Sequence, residues 1–318
     1  MASLTNEKGF PFKVDTVMEK NSNLTSHNKP KRRRVSTKVA PWIFLAPGIA
    51  IFALYVIYPI ISSVALSFYE WDGLGEKVWV GLGNYIELFE SDVFWTALKN
   101  NALWLLLFML APPIGLAIAL FLNQQIRGMR FVKSLFFFPF VISQVVVGLV
   151  FAWFYDPTFG LLNQFLGVFG LGPIAVLSDE NWVTFGLIAA GLWPQVAYCM
   201  ILYLTGLNNL DPEQIEAARL DGAKGLRMLW YIILPQLKPA TFIAIVVTVI
   251  GALRSFDMVS VMTSGGPWNS STVLAYMMYE ESIFNYRMGY GAAVAVVLFL
   301  IMDLYIFYFL RNMLKGEK

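Results

Sequence analysis

The sequence predicts an all-α polytopic membrane protein with six transmembrane helices and both termini in the cytoplasm. Three observations carry this reading. The 318 residues are 58% hydrophobic with a mean hydropathy of +0.61, too apolar for a soluble domain of this length. Six blocks, near residues 41–68, 100–122, 134–155, 182–207, 239–263 and 289–310, reach the roughly 20 apolar residues that a bilayer crossing needs. Lys and Arg then alternate in density: nine precede Pro41, three lie in 124–133, four in 208–238 and three in 311–318. With six crossings all four rich segments fall on one side, the cytoplasmic one. The net charge of +2 is less informative than this distribution.

Taken in order, residues 1–38 are polar and basic, with Lys31, Arg32, Arg33 and Arg34 near their end. This composition predicts a disordered cytoplasmic tail that meets anionic headgroups rather than nucleic acid. It is too long and too polar before the first apolar block to be a signal peptide. The transmembrane domain is expected over 39–318. Its first span contains Pro47 and Pro59. In the external segment that follows, Gly73-Leu74-Gly75 and Gly81-Leu82-Gly83 read as turns, and Trp71, Trp79 and Trp95 suit an interfacial aromatic belt. A short basic loop links the second and third spans. Asp156-Pro157 opens an external segment, too short to cross, that should lie along the surface.

The longest polar interval between apolar blocks is residues 211–239. Asp211 can cap a helix, Pro212 suits its first position, and Gln214 falls where a capping box wants Glu or Gln. A helix is expected from Pro212 to about Leu220, with Gly222 just past its end in the left-handed region. A second helix should start near Lys224 and be broken by Pro235 and Pro239. Local signals alone fit a capped interfacial helical hairpin.

Asp, Glu, Lys and Arg are absent from the first four spans; Arg254 and Asp257 stand in the fifth and Asp303 in the sixth. An Arg at mid-span costs about 2.5–3.5 kcal/mol on insertion scales, and Asp257, three residues on, is placed to neutralise it. Ion pairing and substrate contact both remain open for Arg254. The single Cys199 rules out an intrachain disulfide, and the single His27 argues against multi-His metal sites and His-dependent triads. No G-x-x-x-x-G-K-[ST] loop occurs, so this chain should not hydrolyse ATP.

The ordered string Glu216, Ala217, Ala218, Asp221, Gly222, Ala223, followed by Ile233, Leu234 and Pro235, resembles the E-A-A loop of permease subunits of bacterial ATP-binding-cassette importers. The run from Ser255 to Pro267, with its F-D and T-S-G-G-P, and M-G-Y-G-A-A-V-A at 288–295 resemble the carbohydrate, maltose-type branch of that family. The resemblance covers nearly everything after Lys38. It implies the type I importer permease fold in its six-helix form, in the bacterial inner membrane, with the loop docking into an ATPase subunit. It also implies a second permease subunit, two ATPase subunits that bind the ATP and Mg, and an extracytoplasmic substrate-binding protein; this chain is then no enzyme and holds no cofactor. Sugar contacts in maltose-importer permeases align with Pro194, Gln195, Tyr198, Thr248, Gly251, Ala252 and Ser255, of which Tyr198 and Thr248 keep similar chemistry. The substrate-facing set is therefore Gln195, Tyr198, Thr248 and Ser255, with Arg254 beside them. Alternatives are a non-sugar solute, an ion-coupled secondary transporter using Asp257 or Asp303, or an intramembrane enzyme with the adjacent acids Glu280 and Glu281.

The charge distribution makes a direct prediction. In a Cys199→Ser background, Lys224→Cys should react with an impermeant maleimide only in inside-out vesicles; labelling of intact cells would reverse the topology.

Overall fold

The structure, a computed structural model, describes residues 40–124 and 126–316; the tail expected at 1–38 lies outside the described residues. The chain divides into two units, Met1–Val56 and Ile57–Lys318. In the first, the described side chains from Pro41 onward are exposed except the half-buried Ala53. Helix α1, Pro41–Leu66, is continuous and apolar enough to cross a membrane, with a π turn at Ala53–Ile57.

The second unit begins at Ile57 within α1 and continues into a small hairpin, β1 (Tyr69–Glu70) antiparallel to β2 (Val78–Trp79). The Asp72 carboxylate accepts from the Gly75 and Leu74 N–H groups at 2.8 and 2.9 Å. Those two bonds hold its carboxyl below the usual carboxylate range. Gly73-Leu74-Gly75 is thus the turn it was expected to be.

After α2 (Gly83–Glu90), helix α3 runs over Asp92–Leu122, starting eight residues before the expected 100. Ser91 caps it, accepting from the Phe94 N–H at 3.5 Å. The extra turns are helical because Phe94 and Ala97 continue the buried stripe of Asn101, Trp104 and Phe108, while Asp92 and Lys99 face outward.

The third expected span is broken. Helices α4 (Met129–Val141) and α5 (Gln144–Phe154) meet at 99°. Ile142 is extended, and Ser143 caps α5 by accepting from the Val146 N–H at 3.3 Å. Pro139 already removes a donor from the end of α4. Among the described residues five helices are therefore long and apolar enough to cross, and six if α4 and α5 count as one span. Helix α6, Leu161–Val168, is too short to cross; it leaves Leu161 and Phe165 exposed and is held by Asn163, which donates to Ile174 O and accepts from Ile174 N.

The centre of the bundle is α7, Val183–Asn208, packed along α3. A polar hairpin follows, α8 (Pro212–Leu220) and α9 (residues 226–236), then α10 (Lys238–Met262), α11 (Leu274–Tyr279) and α12 (Met288–Gly316). Helix α10 is not regular throughout. It breaks at Arg254–Ser255, where the Phe256 N–H bonds to Arg254 O at 2.7 Å.

Between α10 and α11 the chain leaves helical structure inside the fold, and side chains take up its peptide groups. Asn100 donates to Ser270 O at 2.7 Å and Thr272 O at 2.9 Å; Thr184 donates to Ser270 O at 3.2 Å. Asn101 accepts from the Leu274 N–H at 2.8 Å. Nearby, Arg287 bridges Glu87 and Glu281 and lies over the Tyr290 ring, 4.2 Å from its centroid. Burial, then the neighbouring Glu281, pushes the Glu280 carboxyl above its ordinary range. Glu281 is engaged in this ion pair.

Gly115 fixes the closeness of α3 and α7, since a Cβ there would stand 2.7 Å from Cys199 Cβ and 2.8 Å from the Met200 backbone nitrogen. Gly115→Ala should lower stability by about 1–3 kcal/mol, read as a reduced unfolding midpoint in detergent. An unchanged midpoint would mean the two helices can part freely.

Candidate functional site

A cavity of about 300 Å³ opens between α3, α7 and α10, with Gln144 of α5 on its rim. Its wall contains Gln195 and Tyr198, three apart on α7, and Arg254 and Ser255 at the break of α10. Four of the five residues expected to face a substrate therefore line one cavity.

Thr248 does not line it. Thr248 is fully buried behind the wall, accepting from Gln195 Nε2 at 2.9 Å, with Cys199 Sγ 3.4 Å away. Seven-residue spacing would place Thr248 and Ser255 on one face of a regular helix, but the break at Arg254–Ser255 changes the angular register between them. The role left to Thr248 is to hold Gln195. Gly251 leaves room for that amide, since a Cβ there would stand 3.3 Å from Gln195 Oε1.

Of the two readings left open for Arg254, pairing with Asp257 is not found: among the described residues no ion pair joins them, and both line the cavity. The same break explains this, because Arg254 ends one helical half and Asp257 lies in the first turn of the next.

Sequence reasoning did not identify Trp104, Phe108, Gln144, Gly191 or Met258 as part of this wall. Trp104 and Phe108 are i,i+4 on α3, 5.0 Å between centroids, and look like ordinary core in an apolar block. The available signal for Gln144 was the polar pair Ser143-Gln144 interrupting an apolar run. Two lining residues keep buried polar atoms with no hydrogen-bond partner among the described residues, Trp104 Nε1 and Ser255 Oγ. Tyr198 stacks on Phe140 of α4, centroids 5.0 Å apart and planes 17° from parallel. An aromatic wall with amides, a hydroxyl and two opposite charges can hold a polar, ring-shaped solute. Among the described residues no three His, Cys, Asp or Glu groups come together to hold a metal ion.

The hairpin forms a second, separate feature. Asp211 caps α8 by accepting from the Glu213 N–H at 3.0 Å. Its own N–H donates to Gln236 Oε1 at 3.0 Å, so the reach-back expected of Gln214 comes from the other arm. Helix α8 ends in a Schellman motif: Ala223 N–H bonds to Ala218 O and Gly222 N–H to Arg219 O, with Gly222 at φ +80°. The second arm starts at Leu226, passes through a π turn at Leu229–Ile233 and ends at Gln236, one residue past Pro235, before the break expected between Pro235 and Pro239. Glu216, Ala217, Asp221, Gly222 and Pro235 are exposed, Ala223 half-buried, and Ala218 is buried where α8 meets α9. Leu220, Leu226, Trp230 and Tyr231 are exposed apolar side chains on the same hairpin.

A bundle of apolar helices with a polar cavity among them, and a structured polar hairpin between two cavity-forming helices, defines a membrane transport subunit. Residues 111–315 match the family described as binding-protein-dependent transport system inner membrane component, and the chain belongs to that family. It is 36% identical over 270 residues to the probable ABC transporter permease protein YurN of Bacillus subtilis, covering 83% of this chain and 92% of that one. It is 31% identical over 261 residues to the sulfoquinovosyl glycerol transport system permease protein SmoG of Agrobacterium fabrum, covering 81% and 84%. The fold is that of a chain in a bacterial ABC transporter that imports the acidic polysaccharide alginate, with a TM-score of 0.77 at 22% identity, covering 88% of this chain and 96% of that chain. The protein is thus a multi-pass permease subunit of an ATP-binding-cassette importer of the cytoplasmic membrane. Nucleotide hydrolysis belongs to separate ATPase chains, and a substrate-binding protein completes the system.

The Gln195–Thr248 bond yields a local prediction. Thr248→Val should cost about 0.6–1.7 kcal/mol, while Thr248→Ser should keep most of the stability. Equal unfolding midpoints for the two variants would show that the bond contributes nothing.

Proposed function

We propose that this chain carries a sugar or sugar derivative across the membrane through the cavity between α3, α7 and α10. Gln195, Tyr198, Arg254 and Ser255 contact the solute, and Thr248 holds Gln195 in place. The observation that carries the reading is the convergence of these side chains with two unpartnered buried donors, Trp104 Nε1 and Ser255 Oγ, around one cavity. Aromatic faces stack on sugar C–H groups while amides and hydroxyls bond its O–H groups. The F-D and G-G-P strings and the sugar-derived substrate in the name of SmoG support the carbohydrate branch in general rather than a maltose-type permease.

In the same reading the chain crosses six times, α4 and α5 together forming one span, in the type I importer arrangement. Both termini and the hairpin at 211–239 are cytoplasmic, residues 1–38 are a basic tail, and 39–318 form the permease domain. Glu216, Ala217, Ala218, Asp221, Gly222, Ala223 and Pro235 belong to the loop that seats on an ATPase subunit. The exposed Leu220, Leu226, Trp230 and Tyr231 supply apolar area for that contact. One second permease, two ATPase subunits and one binding protein make up the importer. The binding protein delivers the solute to the outward mouth, ATP-driven closure of the ATPases moves the hairpin, and hydrolysis resets it.

The test is uptake and ATP hydrolysis by the assembled importer in proteoliposomes. Gly222→Val places a β-branched residue at φ +80°, a strain of about 1–2 kcal/mol, and Glu216→Lys reverses a charge on the exposed face of α8. Each should abolish solute-stimulated ATP hydrolysis and uptake while the subunit remains inserted. Wild-type stimulation in both variants removes the hairpin from coupling. Uptake driven by an ion gradient without ATPase subunits would return the protein to the secondary transporters.

A further inference from the structure

Two opposite charges face one small cavity without meeting each other. Arg254 and Asp257 line it together, and among the described residues neither makes an ion pair or hydrogen bond with any side chain. Charged side chains within a membrane span are costly, so a pair separated by three residues would be expected to close on itself. The break of α10 at Arg254–Ser255 holds them on different helical halves, and both are exposed residues of the cavity lining. Among the described residues of that wall they are the only basic and the only acidic side chain, so the lining carries one of each sign.

We propose that Arg254 and Asp257 are specificity-determining residues that clamp one neutral, polyhydroxylated unit of the solute from two poles. The inference rests on the cavity being the transport path. A guanidinium only donates and a carboxylate only accepts. A hydroxyl can do both, so neighbouring hydroxyls satisfy the two poles at once: one oxygen accepts from Arg254 while the next O–H donates to Asp257. A monovalent anion gains from Arg254 and loses to Asp257, and a cation the reverse; neither recovers the full value of both poles. Gln144 and Gln195 add amides that suit the same hydroxyl chemistry, and Trp104 and Tyr198 offer flat faces. A volume of about 300 Å³ stands at the small end of ligand sites and is enough for one or two sugar rings.

The experiment uses the complete importer in proteoliposomes and radiolabelled neutral mono- and disaccharides, their uronic acid counterparts, and glycine betaine as a zwitterion. The same binding protein delivers every solute, so a change of ratio between permease variants reports on the permease. Uptake is normalised to assembled complex. Arg254→Gln and Asp257→Asn should each lower uptake of neutral sugars at limiting concentration by roughly tenfold or more, the loss of one charge-assisted hydrogen bond. They should also shift selectivity in opposite directions: Asp257→Asn raises the uronic-to-neutral ratio and Arg254→Gln lowers it. A purely structural ion pair would not produce opposite shifts.

Wild-type uptake and unchanged ratios in both variants overturn the clamp. So do equal losses for all solutes accompanied by failed assembly, which would assign the two charges to the partner permease. Faster uptake of glycine betaine than of every sugar, or no uptake of any neutral sugar, also overturns it. Tyr198→Ala and Ser255→Ala separate the clamp from the cavity. If they reduce uptake while the charge variants do not, the cavity stands and the clamp falls; if none of the four has an effect, both fall.

Discussion

A buried peptide group that leaves a helix needs a hydrogen-bond partner, and where water is excluded the chain itself must supply it. Asn100 meets that demand in the loop that follows α10. Its amide donates to two carbonyls of the loop after α10, with Thr184 and Asn101 completing the set. The loop can therefore turn back into the bundle between α3 and α7. Because it is held from α3, the end of α10 is placed relative to the helix that carries Trp104 and Phe108. The cavity inherits its shape from that placement.

Two interruptions then create the cavity. The 99° corner between α4 and α5 brings Gln144 to the rim, and the break in α10 turns Arg254 and Asp257 to the wall. Straight helices through both positions would have produced a closer-packed and less polar interior. Small residues work in the opposite sense. Gly115 draws α3 and α7 together, while Gly251 leaves space for the amide of Gln195. Close packing at one level and withheld packing at the next separate the structural from the functional part of the same helix pair.

The apolar blocks were legible because burial in lipid imposes a composition that needs no partner information. The hairpin was legible in detail, down to the end of α8 at Leu220 and the left-handed Gly222, because caps are local. What escaped depended on non-local events. Gln236 took the N–H that Gln214 was positioned to take, from 25 residues away. Periodicity put Thr248 on the face of Ser255, and the break of α10 defeated that inference. Trp104 carried no sequence mark of its place, since a tryptophan in an apolar block is ordinarily core.

The bond from Asp211 N–H to Gln236 Oε1 ties the two arms of the hairpin near their base, and the Schellman turn closes the far end of α8. One base leads straight into the end of α7 and the other into the start of α10, the two helices that hold Gln195 and Arg254. In the proposed coupling role, a displacement at the tip would therefore reach both of these helices together, through arms joined at their base.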